Sequence, residues 1–203
     1  MAERVPDRLL GAWRRASIVN DDGTSDTDSI VLWLQLESAM VDVRIPVDMG
    51  DPSACEASTG HTRCTPVETG GDGIRRATAE WYTRGPDDIA IHPVSAFPEP
   101  GLLEWNEDGS VMIERAPSGA YVEEWHRVPG SADRLVEHRT DSRHRLYAAG
   151  DLAVVVTDDR GDDRSPFDVE FAICESAADG SGWRIMASTL PGRRGEGIDV
   201  GFR

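Results

Sequence analysis

The chain has 203 residues, enough for one sizeable core, and carries 21 basic against 37 acidic side chains, a formal net charge of −16. A surface of that sign repels nucleic acid and anionic membranes, so neither is an expected partner. Every basic residue is an arginine, which excludes Schiff-base chemistry and a phosphate-loop lysine.

The first residues contain no apolar run of signal-peptide length, and no segment approaches a membrane span, so a cytoplasmic location is expected. Cys55, Cys64 and Cys174 form an odd, sparse set without CxxC spacing, and reduced thiols follow. Cys55 and Cys64 read as filler in one loop, with pairing or shared metal binding as the alternative.

In chain order, residues 6–10 can form a helical turn, after which Gly11-Ala12-Trp13 opens a strand that runs to Val19 and turns at Asn20-Asp21-Asp22-Gly23. Residues 30–36 are apolar on both faces except for Gln35. After a turn at Glu37-Ser38, residues 40–45 resume as a second strand that Pro46 stops. Alternation places Val31, Trp33 and Gln35 on one face of the first, and Met40, Asp42 and Arg44 opposite Val41, Val43 and Ile45 on the second.

Residues 47–72, rich in Gly, Ser, Thr, Pro and acids, read as a long loop that could serve as a lid. Residues 74–84 read as a strand with Ala77, Ala79 and Trp81 on one face, followed by a short strand ending at His92-Pro93 and a Pro-rich link over 97–101. Hairpins follow around Pro117-Ser118-Gly119 and Asp141-Ser142, and strands over 152–158, 167–175 and 182–189 complete the run. Regular strand and turn spacing without a convincing helix predicts an all-β protein, an antiparallel barrel over residues 1–191 with a flexible tail from Gly192.

LLGAW, WLQ, VDVRIP and YVEEWHR together resemble the fungal Hri-type proteins and their bacterial relatives, a calycin-like group with lipocalin-style barrels. The resemblance covers the first 46 residues best and 120–128 less well, and it implies an antiparallel barrel of small-molecule-binding shape but no particular activity. In such barrels the glycine permits a close backbone approach and the tryptophan plugs one end. Nitric-oxide-binding haem barrels also open on Leu-x-Gly-x-Trp, but their distal features are not found in this sequence.

The densest polar and aromatic stretch is residues 121–127. If Glu124 and His126 face inward, they lie about 7 Å apart along one strand face and form an acid/base pair. The competing arrangement turns Tyr121 and Trp125 inward and leaves Glu124 and His126 in water. An inward Arg44, balanced by Asp42, would anchor a carboxylate, phosphate or carbonyl, whereas the other orientation makes Asp42 and Arg44 a surface pair. His92 sits at a strand end as a rim residue. A two-residue turn at Asp141-Ser142 would pair His138 with Arg145 and put His138 and His144 on opposite faces, so no protein-only metal site is expected.

The expected function is therefore an intracellular barrel binding a small organic molecule. Trp33, Gln35, Asp42, Arg44, Tyr121, Trp125 and His92 would contact the ligand, and Glu124 and His126 would perform any cofactor-free isomerisation, cyclisation or dehydration. Alternatives are a haem or hydrophobic-ligand carrier, since haem needs only one axial histidine, and a protein-interaction module whose barrel is filled by tryptophans. Pairing through an exposed strand face leaves a homodimer open.

Overall fold

Strands with side chains alternating between two faces can bury both of them only if each face meets its own apolar partner. Residues 30–45 meet that condition, and the fold shows how. The computed structural model describes residues 5–47, 52–83, 85–92, 99–141, 143–160, 165, 168–177 and 182–198. Its first ten strands are β1 (Gly11–Asn20), β2 (Ser25–Asp26), β3 (Ile30–Gln35), β4 (Met40–Ile45), β5 (Glu56–Cys64), β6 (Glu68–Thr69), β7 (Arg75–Tyr82), β8 (Gly101–Trp105), β9 (Val111–Arg115) and β10 (Tyr121–Arg127). The other six are β11 (Leu135–Arg139), β12 (His144–Ala149), β13 (Leu152–Asp158), β14 (Val169–Ser176), β15 (Trp183–Ser188) and β16 (Gly197–Ile198).

Eight strands close an antiparallel barrel in the order β1, β3, β4, β5, β7, β8, β9, β10, with β10 pairing back onto β1. This is the all-β, calycin-like architecture the sequence leads one to expect. The short strands β2 and β6 extend β1 and β7. Strands β11–β16 form a separate antiparallel meander, so the barrel closes at Arg127 instead of running to residue 191. Among the described residues no helix is long and apolar enough to cross a membrane.

The meander packs on the outside of the barrel. Leu32, Leu34, Val41, Val43 and Ile45 point outward and share one core with Tyr147, Val154, Val156, Phe171 and Ile173. The opposite faces of the same strands carry Val31, Trp33 and Met40 into a second core inside the barrel, with Trp13, Trp81, Leu103, Trp105, Met112 and Trp125. One end of the barrel is plugged by the turn at residues 6–10, where Leu9 N donates to the Pro6 carbonyl, Leu9 and Leu10 are buried and Trp13 Nε1 donates to the Leu9 carbonyl at 2.8 Å. Gly11 adopts φ 117° against Ser131, where a Cβ would come within 2.7 Å of the Ser131 hydroxyl, so the expected close approach is realised.

Several boundaries differ from the sequence expectation. The segment 47–72 contains β5, whose inward residues Ser58, Gly60, Thr62 and Cys64 are too small to give an apolar signal. Gly60 lies against the Tyr82 carbonyl, leaving no room for a side chain. Cys55 and Cys64 do not meet, because they sit on opposite sides of this wall, Cys55 in the outer core and Cys64 in the barrel. The link before Ser110 contains β8, while residues 93–98 lie outside the described residues. The β11–β12 hairpin pairs His138 with Leu146 and Arg139 with Arg145, one residue off the expected register, so His138 and His144 share a face after all. Beyond Gly192 the chain returns to pair as β16 on β15, and Gly195 N donates to the Ile185 carbonyl. Residues 199–203 of the expected tail lie outside the described residues.

Phe171 is fully buried where meander meets barrel. Phe171→Ala is expected to cost about 3–5 kcal/mol in urea unfolding, whereas Leu102→Ala, at a side chain 40% exposed, should stay within about 0.5 kcal/mol.

Candidate functional site

The inner wall is apolar over most of its length and charged near the end away from the plug. Asp42 and Arg44 alternate with the outward Val41, Val43 and Ile45 of β4. Tyr121, Glu123 and Trp125 alternate with Val122 and Glu124 of β10, and Glu114 follows the inward Met112 of β9. The register of β1 against β10 slips between Arg15 and Ser17. This bulge leaves Arg15 on the inner wall beside Trp125 while Ser17 turns out.

These groups form a continuous ion network. Arg44 Nε donates to Asp42 Oδ1 at 2.8 Å, and its Nη1 lies 3.5 Å from Glu123 Oε1. Arg15 bridges Glu123 Oε1 at 2.9 Å and Asp26 Oδ2 at 2.5 Å. Side-chain exposure rises from 1% at Glu123 through 19% at Arg44 to 35% at Asp26, which shows the end that faces water. Burial disfavours the charge on Arg44, but the Asp42 and Glu123 carboxylates outweigh it and raise its pKa.

Glu114 stands apart from these pairs. It is buried, its Oε1 accepts from the Tyr121 hydroxyl at 2.9 Å, and among the described residues no arginine comes within ion-pair distance of it. Burial, then the negative charge of Glu123, push its carboxyl up to about 8, against the opposing pull of Arg44 and the Tyr121 hydroxyl. A carboxyl in that range holds its proton at neutral pH. Burial and Glu114 likewise raise the Tyr121 phenol.

Beside Glu114 the tryptophans interlock. Trp33 meets Trp81 and Trp125 edge to face, each at 5.7 Å between ring centroids. The buried Nε1 atoms of Trp33 and Trp125 have no hydrogen-bond partner, a cost of about 1–3 kcal/mol apiece. Between Glu114, Arg44 and these rings lies a narrow gap of about 180 Å³, nowhere wide enough for a water molecule, with Met40 on its margin. Gly101 makes this packing feasible, because a Cβ there would run into the Trp81 ring and reach 3.1 Å from Glu114 Cγ.

Of the residues expected to meet a ligand, Trp33, Asp42, Arg44, Tyr121 and Trp125 come together on the inner wall. Gln35 also points in, but its amide is spent on the Leu36 and Ala39 carbonyls and its oxygen accepts from Thr62, so it fixes the β3–β4 turn. His92 lies outside the barrel, its ring 3.0 Å from the Cys55 carbonyl. The expectation that Glu124 and His126 face inward is corrected: β10 is phased by Trp125, and both fall on the outer wall. They contact each other at 2.7 Å with side chains 44% and 52% exposed. The other histidines, His61, His138 and His144, are exposed, so no histidine is presented to a haem inside the barrel.

Arg15, Glu114 and Glu123 were not singled out from the sequence. A signal existed for each: Arg15 lies two residues after Trp13, Glu114 two after Met112, and Glu123 between Tyr121 and Trp125, so one inward anchor fixes the next.

No family model matches the chain, and no curated protein matches it. The crystal structure of the uncharacterised protein YLR301w from Saccharomyces cerevisiae superposes with a TM-score of 0.63 at 11% identity, covering 95% of this chain and 91% of that one. At that identity the likeness shows a shared fold, and the coverage extends it beyond the barrel to the meander.

A carboxyl with a raised folded-state pKa stabilises fully below its unfolded value and loses that contribution as pH rises through the folded one. Glu114 should therefore make the protein less stable from about pH 4.5 towards about 8. Thermal melts of the wild type should fall across that window relative to Glu114→Gln, whose curve should be flatter. Glu124→Gln and His126→Ala, on the exposed wall, should each change stability by less than about 0.5 kcal/mol in the same melts.

Proposed function

We propose that the barrel interior binds a small organic molecule and that Glu114, with Tyr121 as its partner towards solvent, is the group that would give or take a proton there. The observation that supports this reading is the set of polar groups around one gap: a buried carboxyl outside the ion pairs of the network and two indole N–H groups without acceptors. A barrel needed only as a solid scaffold would be filled more cheaply by apolar side chains. Met40, with its flexible thioether, is the residue best able to yield room. In this reading the acid/base role expected of Glu124 and His126 passes to Glu114, and any reaction is a cofactor-free proton transfer such as isomerisation or dehydration.

Kinship with the Hri-type group belongs to the same proposal, supported by LLGAW, VDVRIP and YVEEWHR in the strands that build the site and by the shared fold of a yeast protein. A second reading, a solid barrel acting as a protein-interaction module, is favoured by the narrowness of the gap.

Native mass spectrometry of the purified protein, followed by tryptophan fluorescence titration with a panel of small molecules, separates the two. Retained mass, or a spectral shift on titration that is lost in Trp33→Phe and Glu114→Gln while both variants still melt cooperatively, supports binding. A protein that carries nothing and responds to no member of the panel supports the solid barrel.

A further inference from the structure

The ion network sets the charge of what the interior accepts. Inside the wall stand three carboxyl groups, Asp42, Glu114 and Glu123, against two guanidinium groups, Arg15 and Arg44. Both guanidinium groups are engaged: Arg44 with Asp42 and Glu123, Arg15 with Glu123 and with Asp26 at the rim. An anionic ligand seated on Arg44 would have to displace one of these carboxylates and face the others. Glu114 is the group left over, and a proton or an external cation can balance it.

Two features of the same pair of rings describe that cation. The gap beside Glu114 is walled by Trp33 and Trp125, and indole rings attract organic ammonium groups through their π faces. The N–H groups of the same two rings, in side chains at most 2% exposed, lack acceptors. Among the described residues no cluster of acidic, cysteine or histidine side chains could hold a metal ion, and an indole-walled gap suits an organic cation. The net charge of −16 raises the local concentration of any cation near the mouth.

Building on the reading of the barrel as a binding site, we propose that its ligand is a compact organic ammonium ion carrying an oxygen acceptor, of the amino-alcohol class, and that it enters by exchange with the proton on Glu114. The gap at rest is too narrow even for water, so Met40 must move aside for the ligand; the ammonium group then takes the place beside Glu114, and the oxygen accepts from the indoles. The charged and titratable groups facing Glu114 are Glu123 and Tyr121 from β10, Asp42 and Arg44 from β4 and Arg15 from β1, with Asp26 beyond them. The raised pKa of Glu114 supports the direction of the exchange: the proton leaves more easily as pH rises, so cation affinity rises with it.

The test is calorimetric titration of the full chain between pH 6 and 9. The probes are ethanolamine and choline, the neutral choline isostere 3,3-dimethylbutan-1-ol, and acetate. Expected are binding of at least one ammonium probe, affinity increasing up to tenfold per pH unit below the Glu114 pKa, at least tenfold weaker binding of the neutral isostere, and none of acetate. Glu114→Gln should abolish both the charge preference and the pH dependence. Tyr121→Phe, which removes a hydrogen bond from the carboxylate, should move the pH dependence upward. Equal or tighter binding of the neutral isostere or of acetate overturns the charge assignment while leaving a binding barrel. Binding of no probe, charged or neutral, overturns the assignment and the reading beneath it.

Discussion

Strands β3 and β4 are held from two sides, and the rest of the molecule depends on that double burial. Val41, Val43 and Ile45 press outward on the meander, and Trp33, Met40 and Asp42 press inward on the barrel filling. Because neighbouring residues serve different cores, neither face can relax without disturbing the other. The barrel wall is thereby stiffened where the charged cluster is mounted, and Asp42 and Arg44 are presented by a strand with no freedom to slip in register.

That rigidity matters because the cluster is costly. Buried ion pairs recover their desolvation only when the geometry is good and the remaining hydrogen bonds are met. Here Arg15, Arg44, Asp42 and Glu123 satisfy one another, with Asp26 completing the chain at the rim. Glu114 and the indoles of Trp33 and Trp125 do not share in that balance. Buried N–H groups without partners also occur at Trp105, Arg127 and Arg145, but those of Trp33 and Trp125 stand with a buried carboxyl around one gap.

Much of the fold was legible because period-two alternation and turn residues are local signals. The strands from Gly11 to Ile45 and from Val111 to Arg127 could be read in this way, and Gly11 and Trp13 announced the plugged end. Strand β5 was not legible, because Glu56–Cys64 owes its extended form to β4 and β7 on either side, not to its own small, polar residues. The division into barrel and meander is likewise a long-range fact: nothing in residues 135–188 states whether they complete a barrel or cover one. In the site, Asp42 and Arg44 could face in only because their outward neighbours also found a core, a third arrangement beyond the pocket and surface alternatives. The phase of β10 was undecidable from Tyr121–Arg127 alone, since both faces mix charge with aromatic or apolar groups, and it took the tryptophans of β3 and β7 to settle it.

The two sheets differ in how they end. The barrel is closed by β10 on β1, with the two-residue strands β2 and β6 at its margins, whereas the meander is open at β11 and at β16. An open edge invites another chain to add a strand. Along β11 the sequence Glu137-His138-Arg139 confronts any newcomer with charge, Glu137 is tied to Ser38, and Arg139 is drawn towards Asp87. At the other end β16 covers only Trp183 and Arg184 of β15. Edge-to-edge association is therefore resisted along β11 by ordinary surface chemistry, which guards a backbone edge that the closed barrel never has to defend.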